Sequence, residues 1–209
     1  MSLRRRTLLI AAVALGLAGA AQAAPQINAP APDFQATDAD GHLRALKDFA
    51  GRTVVLEWIS SDCPYTAKHY DSGTMQKLQK AARRQGVVWL TVSSAAPGRA
   101  DYFTPQAAKA WEAKVHGAPT AVLLDGDGRI GRAYGAKVTP HMFIIDGAGQ
   151  LVYMGGIDDR PYADPSSLKG AKPYVALALA DLKARRPVAI PVTAPYGCSI
   201  RYGSAAGFQ

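Results

Sequence analysis

The sequence predicts an α/β domain in which helices flank a central mixed sheet, with an N-terminal hairpin before it and an extended C-terminal tail after it. Three observations carry this. Short apolar runs rich in β-branched and aromatic residues alternate with helix-compatible segments. The last two strand-like runs flank the turn sequence Asp146-Gly147-Ala148-Gly149, and an apolar-faced segment near the end gives way to a proline-spaced stretch without helical pattern.

Arg4, Arg5 and Arg6 precede an apolar stretch from Leu8 to about Ala21, which closes on Ala21-Gln22-Ala23. That is the pattern of a secretory signal peptide over residues 1–23, too short for a membrane span. An exported protein with no stable membrane anchor after cleavage is expected, periplasmic if the source is a Gram-negative bacterium. Residues 24–31, rich in Ala and Pro, read as an extended lead-in and not as packed structure.

The domain is expected over residues 32–186. Asp33-Phe34 leads to the turn pair Asp40-Gly41 and on to Leu46, Phe49 and Gly51, a small hairpin laid against the domain. Thr53 to Ile59, Gly86 to Ser94, Thr120 to Leu124 and His141 to Ile145 lack clean alternation, as strands buried on both faces do. Met75, Leu78 and Ala82 recur at helical spacing between Tyr65 and Gln85, with basic residues near the end and Gly86 to stop the helix. Pro105 to Val115 is a second helix, and Leu151 to Met154 pairs antiparallel with the preceding run. Pro173 suits the first turn of a last helix whose apolar face is Val175, Leu179 and Leu182 and that Pro187 ends. Residues 187–209 then form the tail, with one ordered anchor around Tyr196-Gly197-Cys198.

A chain of 209 residues supports one well-buried core. Three of its +8 formal charges are leader arginines, leaving +5 dispersed over the rest without a basic block, so no nucleic-acid partner is expected. The four histidines show no paired ligand spacing, and neither a metal nor a cofactor is expected. Asp158-Asp159, in a Gly- and Pro-rich connection, reads as solvated loop.

The two cysteines are Cys63 and Cys198. Cys63 follows a buried-type strand and precedes a helix, with Pro64 in its first turn, and a helix N-terminus favours the reactive thiolate. The bland alternative is a buried, inert cysteine or half of a structural staple. In an oxidising compartment the two thiols permit one intramolecular bond, which spacing alone neither requires nor excludes.

Ala31-Pro32-Asp33-Phe34, Asp40-Gly41, Leu46, Phe49, Gly51, Val54-Val55-Leu56-Glu57-Trp58 and Cys63-Pro64 occur in order, followed by Asp125-Gly126-Asp127-Gly128, Tyr134-Gly135, Thr139-Pro140 and Phe143-Ile144-Ile145-Asp146. Over residues 31–156 this resembles the redoxin branch of the thioredoxin superfamily, which includes the alkyl hydroperoxide reductase/thiol-specific antioxidant (AhpC/TSA) proteins and exported thioredoxin-like reductases. The resemblance implies a thioredoxin-like fold, with Cys63 as nucleophile and a cis Pro140 whose loop abuts it. Thr139 and Pro140 would then bind substrate, with His141 as a tuning group or a plain strand residue.

Two departures qualify it. Thr66 stands where the second cysteine of a C-x-x-C motif would be, so a resolving thiol must come from elsewhere, and Cys198 is the candidate. Ser60 occupies the Thr/Ser place of a peroxidatic motif, but Leu56 replaces its proline and Pro140 stands about where its arginine belongs. Three readings follow: a thiol-disulfide oxidoreductase using Cys63 and Cys198 or an external thiol, a peroxiredoxin-like peroxidase, and a non-catalytic binding module. The partners implied are protein or small-molecule thiols and disulfides, with peroxides under the second reading.

Overall fold

The structure, a computed structural model, describes residues 24–204, and its first regular element is a hairpin organised by one aspartate. The signal-peptide expectation for residues 1–23 lies outside the described residues. Strands β1 (Gln35–Thr37) and β2 (Leu43–Ala45) pair antiparallel. Between them the buried Asp38 carboxylate accepts from the Asp40 and His42 amides, both at 2.9 Å, and from Arg44 Nε at 2.8 Å. Gly41 supplies the positive φ of 86° that closes the turn.

The central sheet contains β3 (Val54–Trp58), β4 (Val88–Ser93), β5 (Ala121–Leu124), β7 (His141–Ile145) and β8 (Leu151–Gly155), in the order β5-β4-β3-β7-β8. Its β3–β4 and β4–β5 pairs are parallel and its β3–β7 and β7–β8 pairs antiparallel, giving the expected mixed sheet. Every residue of β3, β4 and β7 is buried, which explains the missing alternation. Val54, Leu56 and Trp58 face a layer holding Phe34, Phe49, Ile130 and Tyr134, while Val55 faces the layer of Tyr70, Met75, Ala108 and Val175.

The helix expected from Tyr65 to Gln85 is two helices, α1 (Pro64–Asp71) and α2 (Thr74–Arg84). Gly73 breaks it at φ 72°, with Ser72 Oγ and Thr74 Oγ1 bonded at 3.0 Å beside it. Helix α3 (Pro105–Val115) has the expected bounds, because Thr104 Oγ1 accepts from Ala107 N at 3.1 Å and Pro105 follows it. Helix α4 (Arg129–Tyr134) was not foreseen; its first turn is held by Asp125, whose carboxylate accepts from the Ile130 and Gly131 amides at 3.0 and 2.9 Å. Helix α5 (Tyr174–Lys183) starts after Pro173 and buries Val175 and Leu179 as expected, but it ends before Pro187.

The lead-in and the tail both dock on the outer edge of β8. In the lead-in, Asn28 N donates to Leu151 O at 2.8 Å and Leu151 N to Ala29 O at 2.9 Å, so this segment is packed, contrary to expectation. In the tail, Met154 N donates to Pro191 O at 3.0 Å and Thr193 N to Met154 O at 3.2 Å. An uncovered edge strand leaves a row of unpaired amides and carbonyls, and here the lead-in and the tail fill it. The tail goes on to form β9 (Cys198–Ser199), antiparallel to β6 (Val138–Thr139), so it has several anchors where one was expected.

Candidate functional site

Cys63 is the residue at which β3 has ended and α1 begins. Its backbone is extended, with φ −87° and ψ 118°, its carbonyl accepts the Ala67 amide at 2.9 Å, and Pro64 opens the helix. It is 1% exposed. Its sulfur is bonded to Cys198, across 135 residues of sequence and a Cα–Cα distance of 5.9 Å.

The Thr139–Pro140 peptide is cis, and the Thr139 carbonyl oxygen lies 3.1 Å from Cys63 Sγ. When reduced, Cys63 can donate its thiol hydrogen there. The same residue, Thr139, also pairs with Cys198 in the β6–β9 ladder. Four sequence-selected residues, Cys63, Thr139, Pro140 and Cys198, therefore meet in one place. His141 does not join them: its Nδ1 accepts from Lys137 N at 3.2 Å and its ring packs 4.4 Å from that of Phe143. Burial, with the Lys137 charge adding, pushes its pKa down to about 4. Thr66 is buried, and its hydroxyl has no hydrogen-bond partner among the described residues. Ser60 Oγ is held between Asp62 at 2.6 Å and Asp101 at 2.7 Å, and Arg201 of the tail pairs with both acids.

Two residues before Cys198, the Tyr196 hydroxyl enters a buried polar hub that sequence reasoning missed. Lys68 Nζ donates to it at 3.1 Å and to the Arg160 carbonyl at 2.7 Å. His69 Nε2 lies 3.2 Å from the same hydroxyl, which itself donates to the Asp158 carboxylate. Lys68, His69 and Asp158 are 1%, 0% and 4% exposed, so Asp158 is not the solvated loop acid expected; it accepts the hydrogen bond of the phenol and caps the Arg160 amide at 2.8 Å. Burial, reinforced by the Lys68 charge, pushes the His69 pKa down to about 3, so the ring is neutral. Burial and the Asp158 hydrogen bond hold the Tyr196 hydroxyl protonated, far above the usual phenol range. The Lys68-His69 pair five and six residues after Cys63 was visible in the sequence, but only the packing of α1 shows which way it faces.

Glu57 forms a second buried cluster. Its carboxylate accepts from Tyr70 Oη at 3.0 Å, Gln79 Nε2 at 3.1 Å and Trp89 Nε1 at 2.7 Å. Burial pushes its pKa up to about 7 although these bonds pull the other way. A lone acid inside Val54-Val55-Leu56-Glu57-Trp58 was the signal for it.

The family model described as Redoxin matches residues 26–171, a span that ends before Tyr196 and Cys198. A thiol-disulfide oxidoreductase ResA of Bacillus thuringiensis is 27% identical over 127 residues, which is 61% of this chain and 68% of that protein. An uncharacterized conserved protein from Geobacillus kaustophilus has a solved structure that matches with a TM-score of 0.75, covering 87% of this chain and 94% of its own at 24% identity. A hypothetical protein from Sinorhizobium meliloti gives a TM-score of 0.73 over 87% and 97%, also at 24% identity.

Proposed function

The chain belongs to the Redoxin family and has the thioredoxin-like fold, and from that premise we propose that it is an exported thiol-disulfide oxidoreductase whose redox pair is Cys63 and Cys198. The observation that carries this reading is the Cys63–Cys198 bond at the N-terminus of α1 beside the Thr139–Pro140 peptide. The similarity to a thiol-disulfide oxidoreductase supports it. Export rests on the leader pattern at residues 1–23; no helix among the described residues is long and apolar enough to cross a membrane.

In the reducing direction, the Cys63 thiolate attacks one sulfur of a partner disulfide, and the partner's other sulfur leaves as a thiolate. Cys198, deprotonated, then attacks Cys63 Sγ, closing the Cys63–Cys198 bond and releasing the second partner thiol. The partner gains two electrons and the chain loses two; run backwards, the same steps oxidise a dithiol. The Thr139 carbonyl orients the Cys63 sulfur, and the β6–β9 pairing brings Cys198 to it.

Insulin reduction with dithiothreitol as electron donor tests the proposal. Turnover lost in both Cys63→Ser and Cys198→Ser is the expected result. Consumption of hydrogen peroxide with a thiol donor, dependent on Cys63, would favour the peroxidase reading, and neither activity would leave the binding module.

A further inference from the structure

We propose that the surface covered by the tail is a reading groove for an extended polypeptide carrying Tyr-Gly-Cys, and that Tyr196-Gly197-Cys198 is the chain's own copy of that sequence. The inference rests on the reading of Cys63 as the attacking thiol and names the partner class for it.

Cys63 is almost fully buried, with Thr139 O beside its sulfur and Cys198 bonded to it, so a partner cysteine that bonds Cys63 must take the place of Cys198. Three constraints come with that place. The first is main-chain pairing: Val138 faces Ser199 and Thr139 faces Cys198 in an antiparallel ladder, which Ile200 N extends by donating to Lys137 O at 3.0 Å. Such pairing accepts an extended strand from another polypeptide as readily as from the tail.

The second constraint lies one residue before the cysteine. Gly197 has φ 139°, and a Cβ there would sit 2.0 Å from Thr139 O and 2.7 Å from Thr139 C. Both are main-chain atoms of the residue that borders Cys63, so no side-chain rotation relieves the clash. Only glycine fits.

The third lies one residue earlier. With Nδ1 of His69 lacking a partner among the described residues, the ring proton is assigned to Nε2, where it bonds the Tyr196 oxygen. The phenol oxygen thereby accepts from Lys68 and His69 and donates to Asp158, using its full hydrogen-bonding capacity. Lys68 Nζ also lies 4.7 Å from the ring centroid, and the Tyr65 ring packs edge-on at 5.9 Å. A phenylalanine in this slot would leave three buried polar side chains without their common partner, the situation in which sites discriminate most strongly. Once the disulfide opens, hydrogen bonds and packing hold the tail segment, and an incoming Tyr-Gly-Cys strand replaces its bonds one for one.

Full-length Cys198→Ser protein is mixed with heptapeptides of sequence Ala-Pro-Tyr-Gly-Cys-Ser-Ile whose cysteine carries a thionitrobenzoate disulfide. The Cys63 thiolate attacks the peptide sulfur, forming a protein–peptide disulfide, and coloured thionitrobenzoate leaves with the electrons of the broken bond. Coupling of this peptide at least tenfold faster than of its Gly-to-Ala and Tyr-to-Phe versions is expected. The double variant Tyr196→Ala/Cys198→Ser, with its slot emptied, should couple faster still and keep the same preference. Equal rates for the three peptides in both variants, or reaction with 5,5′-dithiobis(2-nitrobenzoate) alone, would overturn the groove and leave Cys63 as a reactive thiol. A Cys63 that reacts with the small reagent only after unfolding would overturn the oxidoreductase reading as well.

Discussion

Two buried polar clusters, each containing a tyrosine hydroxyl, differ in where their parts come from. Glu57, Tyr70, Gln79 and Trp89 come from β3, α1, α2 and β4, all inside the span that matches the family model. The other cluster takes Lys68 and His69 from α1 and Asp158 from the turn after β8, but its centre, Tyr196, comes from the tail beyond that span. The first cluster is complete within the domain core; the second is complete only while the tail is docked. A buried polar network specifies one arrangement because each unpaired member is costly. The Tyr196 hub therefore ties the position of Cys198 to α1, the helix that begins at Cys63.

The largest effect that separates the two clusters comes from cutting the covalent tie. A bond spanning 135 residues contributes at most about 5 kcal/mol in the chain-entropy model, less any strain. Cys198→Ser is expected to lower urea-unfolding stability by a large part of that while the near-ultraviolet signal of Trp89 beside Glu57 is retained. Next comes Asp158→Ala, which removes the acceptor of the buried Tyr196 hydroxyl and the acid whose charge favours protonated Lys68, and costs about 3 kcal/mol. Hydrogen exchange should rise over residues 191–203 and stay unchanged in β3 and β4; uniform loss of protection would mean that the hub belongs to the core. Tyr196→Phe is milder, about 1–3 kcal/mol, and should raise exchange over the same segment only.

The smallest effect is a pH slope, measured on the oxidised chain so that the cysteines do not titrate. Glu57 has its pKa raised by burial to about 7 in the folded chain, against an ordinary value of 4.5, so the folded state holds a proton that the unfolded state has lost between those values. Stability falls as pH rises through that window. Glu112, whose two carboxylate oxygens are buried without partners among the described residues, is raised to about 8 by burial and the Glu57 charge, and it extends the fall. His69 and His141, depressed to about 3 and 4 by burial, act oppositely, so their stabilisation is lost as pH drops below their ordinary value of 6.5. Above pH 6.5 the carboxyls outweigh the fading contribution of the histidines in this set. Thermal melts from pH 6.5 to 8 should show stability declining in the wild type, and declining less in Glu57→Gln.

The difference between the clusters also accounts for what was legible in the sequence. Strands β3, β4, β5, β7 and β8 were readable because burial on both faces writes a continuous apolar run, and α3 because Thr104-Pro105 marks its start. The α1–α2 break was hidden because the periodic residues, Met75, Leu78 and Ala82, all lie beyond Gly73 and do not report on the segment before it, and α4 because its six residues, Arg-Ile-Gly-Arg-Ala-Tyr, include a glycine and are too few to show a period. Cys63 was legible because local strand and helix signals surround it, whereas Thr139 and Pro140 were picked out only by what the family resemblance implies. The hub was not: Asp158, Lys68 and Tyr196 are brought together by tertiary docking across 128 residues, which no local pattern encodes. Cys198 stands between the two cases, recognised as a thiol by composition while its two-residue strand β9 was unreadable.

The most direct test of the central claim is alkylation mapping of the folded, oxidised chain equilibrated in glutathione redox buffers of graded ratio. The account predicts that Cys63 and Cys198 become alkylated together, reversibly, over a defined range of ratios while hydrogen exchange shows the sheet intact. A bond that stays closed at every ratio until the chain is unfolded would contradict it and make Cys63–Cys198 a structural staple.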